Sequence, residues 1–327
     1  MYESFYGVRE RPFDLTPNPR FLLLTGKHRE ALSNLQYGLM SRRGLTVLVG
    51  EAGTGKTTLI RAAVAEFEAK GAVIAYLNNP TLTRQEFCEF LTTAFKLNPA
   101  AASSKTRLLA ELAAALEKFR ADGVLTGLII DEAQVLPDDL LEEVRLLANI
   151  ETATDKLLPI VLAGQPELAD RLNKPSLRQL KQRVALRCQL NALEPRETAE
   201  YIAGRIRVAG GNSVLVFTRQ AVDAIHQRSS GIPRLISVIC DNALISGFAA
   251  DRRPVSRDIV EDVCRDFDLT PRGNGSSETR AAPPAASAPA ARVESPAPEP
   301  VAADKEKDER ARSLFEHFTI RRRFSLF

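Results

Sequence analysis

At 327 residues, with 44% apolar and 26% charged side chains, the chain is long enough for one large buried core and a smaller second module. A net charge of only +3 provides neither a basic coat for nucleic acid nor an acid-trapping surface. Four scattered cysteines (Cys88, Cys188, Cys240 and Cys264) and three histidines offer no metal-ligand spacing and no disulfide framework, so the cysteines are expected as buried thiols.

The chain opens Met1-Tyr2-Glu3-Ser4 without a basic patch leading into an apolar stretch, and no apolar run reaches the length of a membrane span. A reducing cytoplasm is the expected location. Residues 1–44 read as an N-terminal segment and a first helix that pack on the core. From 45 to 190, aliphatic or β-branched runs at 45–49, 72–77, 127–131, 158–163 and 184–190 alternate with longer segments of helical period. That alternation builds a parallel sheet covered by helices, so 45–192 is expected to be an α/β core with a five-stranded parallel sheet.

Directly after the first run comes Gly50-Glu51-Ala52-Gly53-Thr54-Gly55-Lys56-Thr57, then Thr58 and a helical segment. This is the phosphate-binding loop G-x-x-x-x-G-K-[ST] in the strand-then-helix context that the motif requires. The glycines let the backbone turn its amides toward phosphate oxygens, and the positive end of the following helix adds to the field. Lys56 is the candidate holder of the β- and γ-phosphates. The Thr57 hydroxyl suits Mg²⁺, a hard ion that keeps several waters and takes few protein oxygens.

Further along, Thr83 and Glu86 form a capping box that opens a helix, and 104–121 repeats apolar residues at three- and four-residue spacing. The third run ends in Asp131-Glu132. Asp131 is placed to hold Mg²⁺ through its water shell, and Glu132 to polarise a water for attack on the γ-phosphate. After 190 the strand signal gives way to helices near 195–208, 218–228, 233–249 and 256–267, so 193–268 is expected to be a small all-helical lid.

From 271 to 303, 17 of 33 residues are Pro or Ala and there is no Leu, Ile or Phe, so 269–303 is expected to be a disordered linker. Residues 304–327 are charged and carry Leu314, Phe315 and Phe318 before Arg321-Arg322-Arg323. They read as a charged amphipathic tail, as a short helix with a basic end or as an unstructured segment.

The order of the phosphate loop, Asp131-Glu132, Gln165 after the fourth run, Arg183 before the fifth and Gly231-Ile232-Pro233-Arg234 in the helical module resembles the AAA+ ATPases. Within that superfamily, Met1-Tyr2-Glu3-Ser4-Phe5-Tyr6-Gly7, Arg11-Pro12-Phe13 with Pro17, His28-Arg29-Glu30-Ala31-Leu32 and Gly164-Gln165-Pro166-Glu167-Leu168 resemble the general secretion pathway protein A family. The likeness spans about 1–268, and ATPases of pilus biogenesis, polysaccharide export and transposition share most of these marks.

The resemblance implies ATP as ligand, Gln165 as a sensor of the γ-phosphate and Arg234 as a second sensor from the lid. It implies Asn78 as a restraint on Glu132, and 28–32 as neighbours of the adenine. It also implies an arginine offered to the next subunit's nucleotide, Arg183 with Arg178 as the alternative, and hence an ATP-dependent homo-oligomeric ring, six subunits by the superfamily pattern. Many members of the secretion family continue into a membrane span and a peptidoglycan-binding module, and neither is visible after Phe267. A link to the envelope is therefore expected to pass through a partner held by the tail. The expected function is Mg·ATP hydrolysis that drives assembly or regulation of a secretion, pilus or polysaccharide-export machine. The alternative is a DNA-transaction ATPase such as a transposition accessory protein, which the lack of a basic stripe disfavours.

Overall fold

A computed structural model of the chain describes residues 1–15, 19–21, 23–42, 44–78 and 80–269. The expected linker beyond Leu269, the tail and Pro17 lie outside the described residues; Leu269 itself packs on the helical module. Strands β1 (Leu45–Gly50), β2 (Val73–Leu77), β3 (Thr126–Ile130), β4 (Ile160–Gly164) and β5 (Val184–Leu190) form one parallel sheet in the order β2-β3-β4-β1-β5. β1, β3 and β4 are buried at every position, which is why they read as unbroken apolar runs rather than as alternating ones. β4 starts two residues later than expected because Pro159 has no N–H for the ladder; its carbonyl still accepts from Leu128 N (3.0 Å).

The twelve α-helices of the described residues are α1 (Glu3–Tyr6), α2 (Gly26–Met40), α3 (Lys56–Ala69), α4 (Arg84–Ala94), α5 (Lys105–Ala121), α6 (Asp138–Leu147), α7 (Pro166–Leu172), α8 (Arg178–Lys181), α9 (Pro195–Val208), α10 (Arg219–Ser229), α11 (Pro233–Ala249) and α12 (Arg257–Asp266). The period of two along β1 sends Leu45, Val47 and Val49 to one face, where they meet Phe87, Leu91, Leu108, Leu112 and Val144 of α4, α5 and α6. Leu48 points the other way, into a cluster with Leu35 and Leu39 of α2 and Leu59 and Ile60 of α3. Thr83 and Glu86 form the capping box of α4, and two hydrogen bonds from Thr83 hold the Glu86 carboxyl below its ordinary pKa.

The helical module contains α9 to α12, with boundaries within one residue of those read from the sequence. Pro195 and Pro233 each sit at a first helical position, where a missing N–H costs nothing. The opening segment is the departure from expectation. α2 does lie on the sheet, but Tyr2, Tyr6, Val8, Phe13 and Phe21 are buried in the cluster of the helical module, with Ile202, Ile206 and Ile236.

Small residues and one arginine account for that docking. A Cβ on Gly247 would lie 2.3 Å from the Tyr6 hydroxyl, so only glycine leaves room for the ring. Arg205 donates from Nε to Pro12 O (2.6 Å) and stands over the rings of Phe13, Phe21 and Tyr201. Tyr2, Tyr6, Val8, Phe13 and Phe21 thus make the described part of the opening segment a strap on the helical module. Cys188, Cys240 and Cys264 are buried free thiols, while Cys88 is half-buried. No helix among the described residues is long and apolar enough to cross a membrane.

Candidate functional site

β1 is the point where the sheet order turns back, with β4 on one side and β5 on the other, and ligands of such sheets bind beyond the strand ends at that point. The phosphate loop leaves β1 there. Gly53 (φ +81°) and Gly55 (φ +100°) take the left-handed backbone that turns the loop into α3. The 14-residue α3 directs its unpaired N-terminal amides into the same space.

Lys56 is only 4% exposed, and its Nζ donates to Gly50 O (2.7 Å) and Glu51 O (3.1 Å). Burial lowers the pKa of its ammonium, while the charges of Glu132 and Asp131 oppose that shift. Asp131 is fully buried just past the end of β3. It accepts from the Thr57 hydroxyl (2.6 Å), the Tyr76 hydroxyl (3.4 Å) and the Glu132 amide (2.9 Å). Burial and the Asp131 charge raise the pKa of the Tyr76 phenol.

Glu132 has φ 53°, a left-handed backbone that non-glycine residues seldom adopt and that surrounding contacts must maintain. Its carboxylate Oε2 accepts from Gln134 Nε2 (2.6 Å) and Gln165 Nε2 (3.4 Å). From the helical module, the Arg234 amide donates to Gly53 O (3.2 Å), which brings the first turn of α11 against the phosphate loop. The cleft so formed holds about 610 Å³ and is lined by 52–58, Glu132, Gln165 and Arg234, with Phe21, Leu23 and Tyr201 at its apolar side.

His28 is buried under the loop. Thr54 O can only accept, so the His28 Nε2 that it meets at 3.1 Å carries the proton, and Nδ1 accepts from the Thr25 hydroxyl (2.8 Å). His28 therefore braces the back of the loop as well as lining the cleft.

The helical module's seat depends on Gly231. Its φ is +72°, and a Cβ there would fall 2.1 Å from the carbonyl oxygen of Leu193, whose amide donates to Gly231 O (2.8 Å). Gly231→Ala should therefore cost about 3 kcal/mol and lower Tm by roughly 5–10 °C, since neither backbone can yield without losing that bond. Differential scanning calorimetry checks this, and an unchanged Tm would mean that Leu193 moves aside freely.

The structure brings the phosphate loop, Glu132, Gln165 and Arg234 to one cleft, with Asp131 buried behind Thr57. It does not bring Asn78 there as the partner of Glu132. Asn78 is exposed at the end of β2, and the Glu132 carboxylate is taken instead by Gln134, two residues on, and by Gln165 at the end of β4. Arg183 and Arg178 lie at the other end of the sheet. Val184 pairs with Leu45, the first residue of β1, so Arg183 is on the order of 15–20 Å from the phosphate loop of its own chain. Sequence reasoning missed Gln134 and Tyr76. The only signal for Gln134 was its place two residues after Glu132.

A Cβ at Gly53 would meet Arg234 Cβ at 2.8 Å, so the loop and α11 approach closely at that glycine. No group of three or more His, Cys, Asp or Glu among the described residues could hold a metal. The Thr57 and Asp131 oxygens form the sparse, hard donor set that Mg²⁺ accepts beside phosphates and water.

Residues 39–172 match the family model described as AAA domain. Over 250 residues, 76% of this chain, the sequence is 42% identical to general secretion pathway protein A of Aeromonas hydrophila, and the chain spans 45% of that relative's length. Among solved structures, the ORC2 protein of Aeropyrum pernix matches with a TM-score of 0.57 at 20% identity, over 79% of this chain and 71% of that one. Cdc6p of Pyrobaculum aerophilum matches with a TM-score of 0.60 at 16% identity, over 78% of this chain and 70% of that one. At those identities the likeness is one of fold.

Proposed function

We propose that this chain, an AAA+ ATPase that resembles the general secretion pathway protein A family, binds Mg·ATP in the cleft between its sheet and its helical module and hydrolyses it. The observation that supports this most directly is the Thr57 hydroxyl held 2.6 Å from Asp131 at the first turn after the phosphate loop. In this reading the amides of 53–58 take the phosphate oxygens, and Lys56 leaves the carbonyls of Gly50 and Glu51 for the β- and γ-phosphates. Thr57 directly and Asp131 through water would hold Mg²⁺, which would neutralise charge on the phosphates. Gln165 and Arg234 face the γ-phosphate, one from the sheet and one from the helical module. Glu132 takes the proton of the attacking water. Phe21, Leu23 and Tyr201 give the base an apolar wall. The purified chain should release phosphate from ATP and lose that activity when Mg²⁺ is chelated; release that is indifferent to Mg²⁺ would remove the metal from the reading.

An arginine at the far end of the sheet cannot serve its own nucleotide, and this supports Arg183 as a finger offered in trans within an ATP-dependent homo-oligomer. Turnover per subunit should then rise with protein concentration. Arg183→Ala should bind ATP normally but lose that rise, and mixing it with Lys56→Ala should restore part of the activity, because an intact finger then faces an intact phosphate site. Sedimentation with a non-hydrolysable ATP analogue, read beside the mixing assay, tests the pair; a monomer with constant turnover at every concentration overturns both finger and ring. The same assays with Arg178→Ala decide between the two arginines.

The cycle is proposed to act in the cytoplasm on a secretion, pilus or polysaccharide-export machine. The 42% identity to a protein named for general secretion outweighs 16–20% identity to the ORC2 and Cdc6p structures. A DNA transaction is the second reading, favoured by one solved neighbour described as bound to DNA (Drosophila ORC, TM-score 0.58, 18% identity). Stimulation of ATP turnover by duplex DNA would favour that reading, and stimulation by membranes carrying a secretion apparatus the first.

A further inference from the structure

We infer that Gln134 is a positioning residue that fixes the Glu132 carboxylate and couples it to Gln165. The inference rests on the reading of Glu132 as the acid that activates water, and it concerns a residue outside the phosphate loop. Gln134 sits in the 3-10 turn Ala133–Val135, immediately after the left-handed Glu132. Its side-chain amide spans two partners of opposite character. Nε2 donates to Glu132 Oε2 (2.6 Å), and Oε1 accepts from the Gln165 amide (3.1 Å).

A carboxylate only accepts and a backbone N–H only donates, so the side chain has one workable orientation and cannot be flipped without losing both bonds. Gln165 adds a longer bond of its own to the same Oε2 (3.4 Å). Oε2 is thereby engaged twice, and Oε1 of Glu132 has no hydrogen bond among the described residues. That leaves Oε1 as the oxygen able to accept a proton from water.

Three further features show that Gln134 is held rather than resting on a surface. Arg171 of α7 donates from NH1 to the carbonyls of Gln134 (2.7 Å) and Leu136 (2.5 Å), and its other nitrogen pairs with Asp138 at the start of α6. The turn is thus fastened to the helix that follows Gln165. Gly164 provides the space, because a Cβ there would stand 2.6 Å from Gln134 Oε1 and 2.9 Å from Leu168 Cδ2. Gly164 has no positive φ, so its small size serves this contact and not a backbone turn. Gln134 itself is half-buried. A shift of Gln165 on meeting a phosphate would therefore reach Glu132 through one side chain.

The test is a set of variants in the full chain. Gln134→Met keeps the bulk and removes both bonds; Gln134→Glu keeps an acceptor for the Gln165 amide but puts a second acid beside Glu132. Both are expected to bind a non-hydrolysable ATP analogue within about twofold of wild type, since they do not touch the phosphate cradle. Both should lose about ten- to a hundredfold in kcat, the range for a hydrogen bond to a charged group. The double variant Gln134→Met with Glu132→Gln should be no slower than Glu132→Gln alone, because a positioning residue has no effect once its target is neutralised; a general structural defect would multiply instead.

Unchanged kcat in both Gln134 variants, with Glu132→Gln slow, overturns the inference and leaves the role of Glu132 intact. Fast turnover by Glu132→Gln overturns that role itself. Turnover faster than wild type in Gln134→Met would make Gln134 a restraint and also overturn the inference.

Discussion

Lys56→Ala is expected to abolish tight nucleotide binding while leaving the fold intact, with a loss of affinity of at least about a hundredfold by isothermal titration with ATP. The ammonium contributes charge-assisted bonds to two phosphates, each worth about 1.5–3 kcal/mol when the acceptor is charged. The fold should tolerate the change because Nζ bonds only to two neighbouring carbonyls, Gly50 O at the end of β1 and Glu51 O in the loop, and ties no other element to them. Burial lowers the pKa of Lys56, which means that the folded chain disfavours its charge and loses no net electrostatic stability when that charge goes. Thermal unfolding run beside the titration separates the two effects. Unchanged affinity in a folded variant would remove the assignment of the phosphate loop.

Glu132→Gln is expected to retain ATP binding but to turn ATP over at least about a hundredfold more slowly, the usual contribution of a carboxylate acting as general base. The substitution is nearly isosteric, and a glutamine carbonyl can still accept from Gln134 Nε2, so the turn and its left-handed backbone have no reason to change. Only basicity is removed. Single-turnover measurement with prebound ATP reads chemistry apart from product release. Wild-type turnover would move the role to another acid of the cleft.

Much of this site was legible because its chemistry is written in consecutive residues. The glycines and Lys56-Thr57 stand directly behind an unbroken apolar run, and Asp131-Glu132 directly behind another. Short unbroken apolar runs are what strands covered on both faces leave in a sequence, and the C-terminal ends of parallel strands mark one edge of the sheet. The helices of the lid were legible because prolines and a threonine cap punctuate them; Thr218 caps α10 and so stands one residue outside it. Contacts that depend on a strand's neighbours were not legible. Gln134 reaches Gln165 only because β3 and β4 are adjacent, and nothing in the sequence states that order. Asn78 was expected on Glu132 from resemblance, and the geometry gives that place to Gln134. The opening strap was misplaced for a related reason. Its apolar residues announce burial but not the surface that buries them, and the matching glycines, Gly211 beside Val8 and Gly247 beside Tyr6, lie far along the chain.

That strap changes how the helical module can move. The chain passes between sheet and module twice, once ahead of α2 and once after β5, and both passages end in packed structure. A body joined at one point can tumble about it, whereas a body joined at two turns chiefly about the line between them. Any turning of the module against the sheet is therefore expected to favour the line between those two passages, and Arg234, carried on the module, to follow an arc about it.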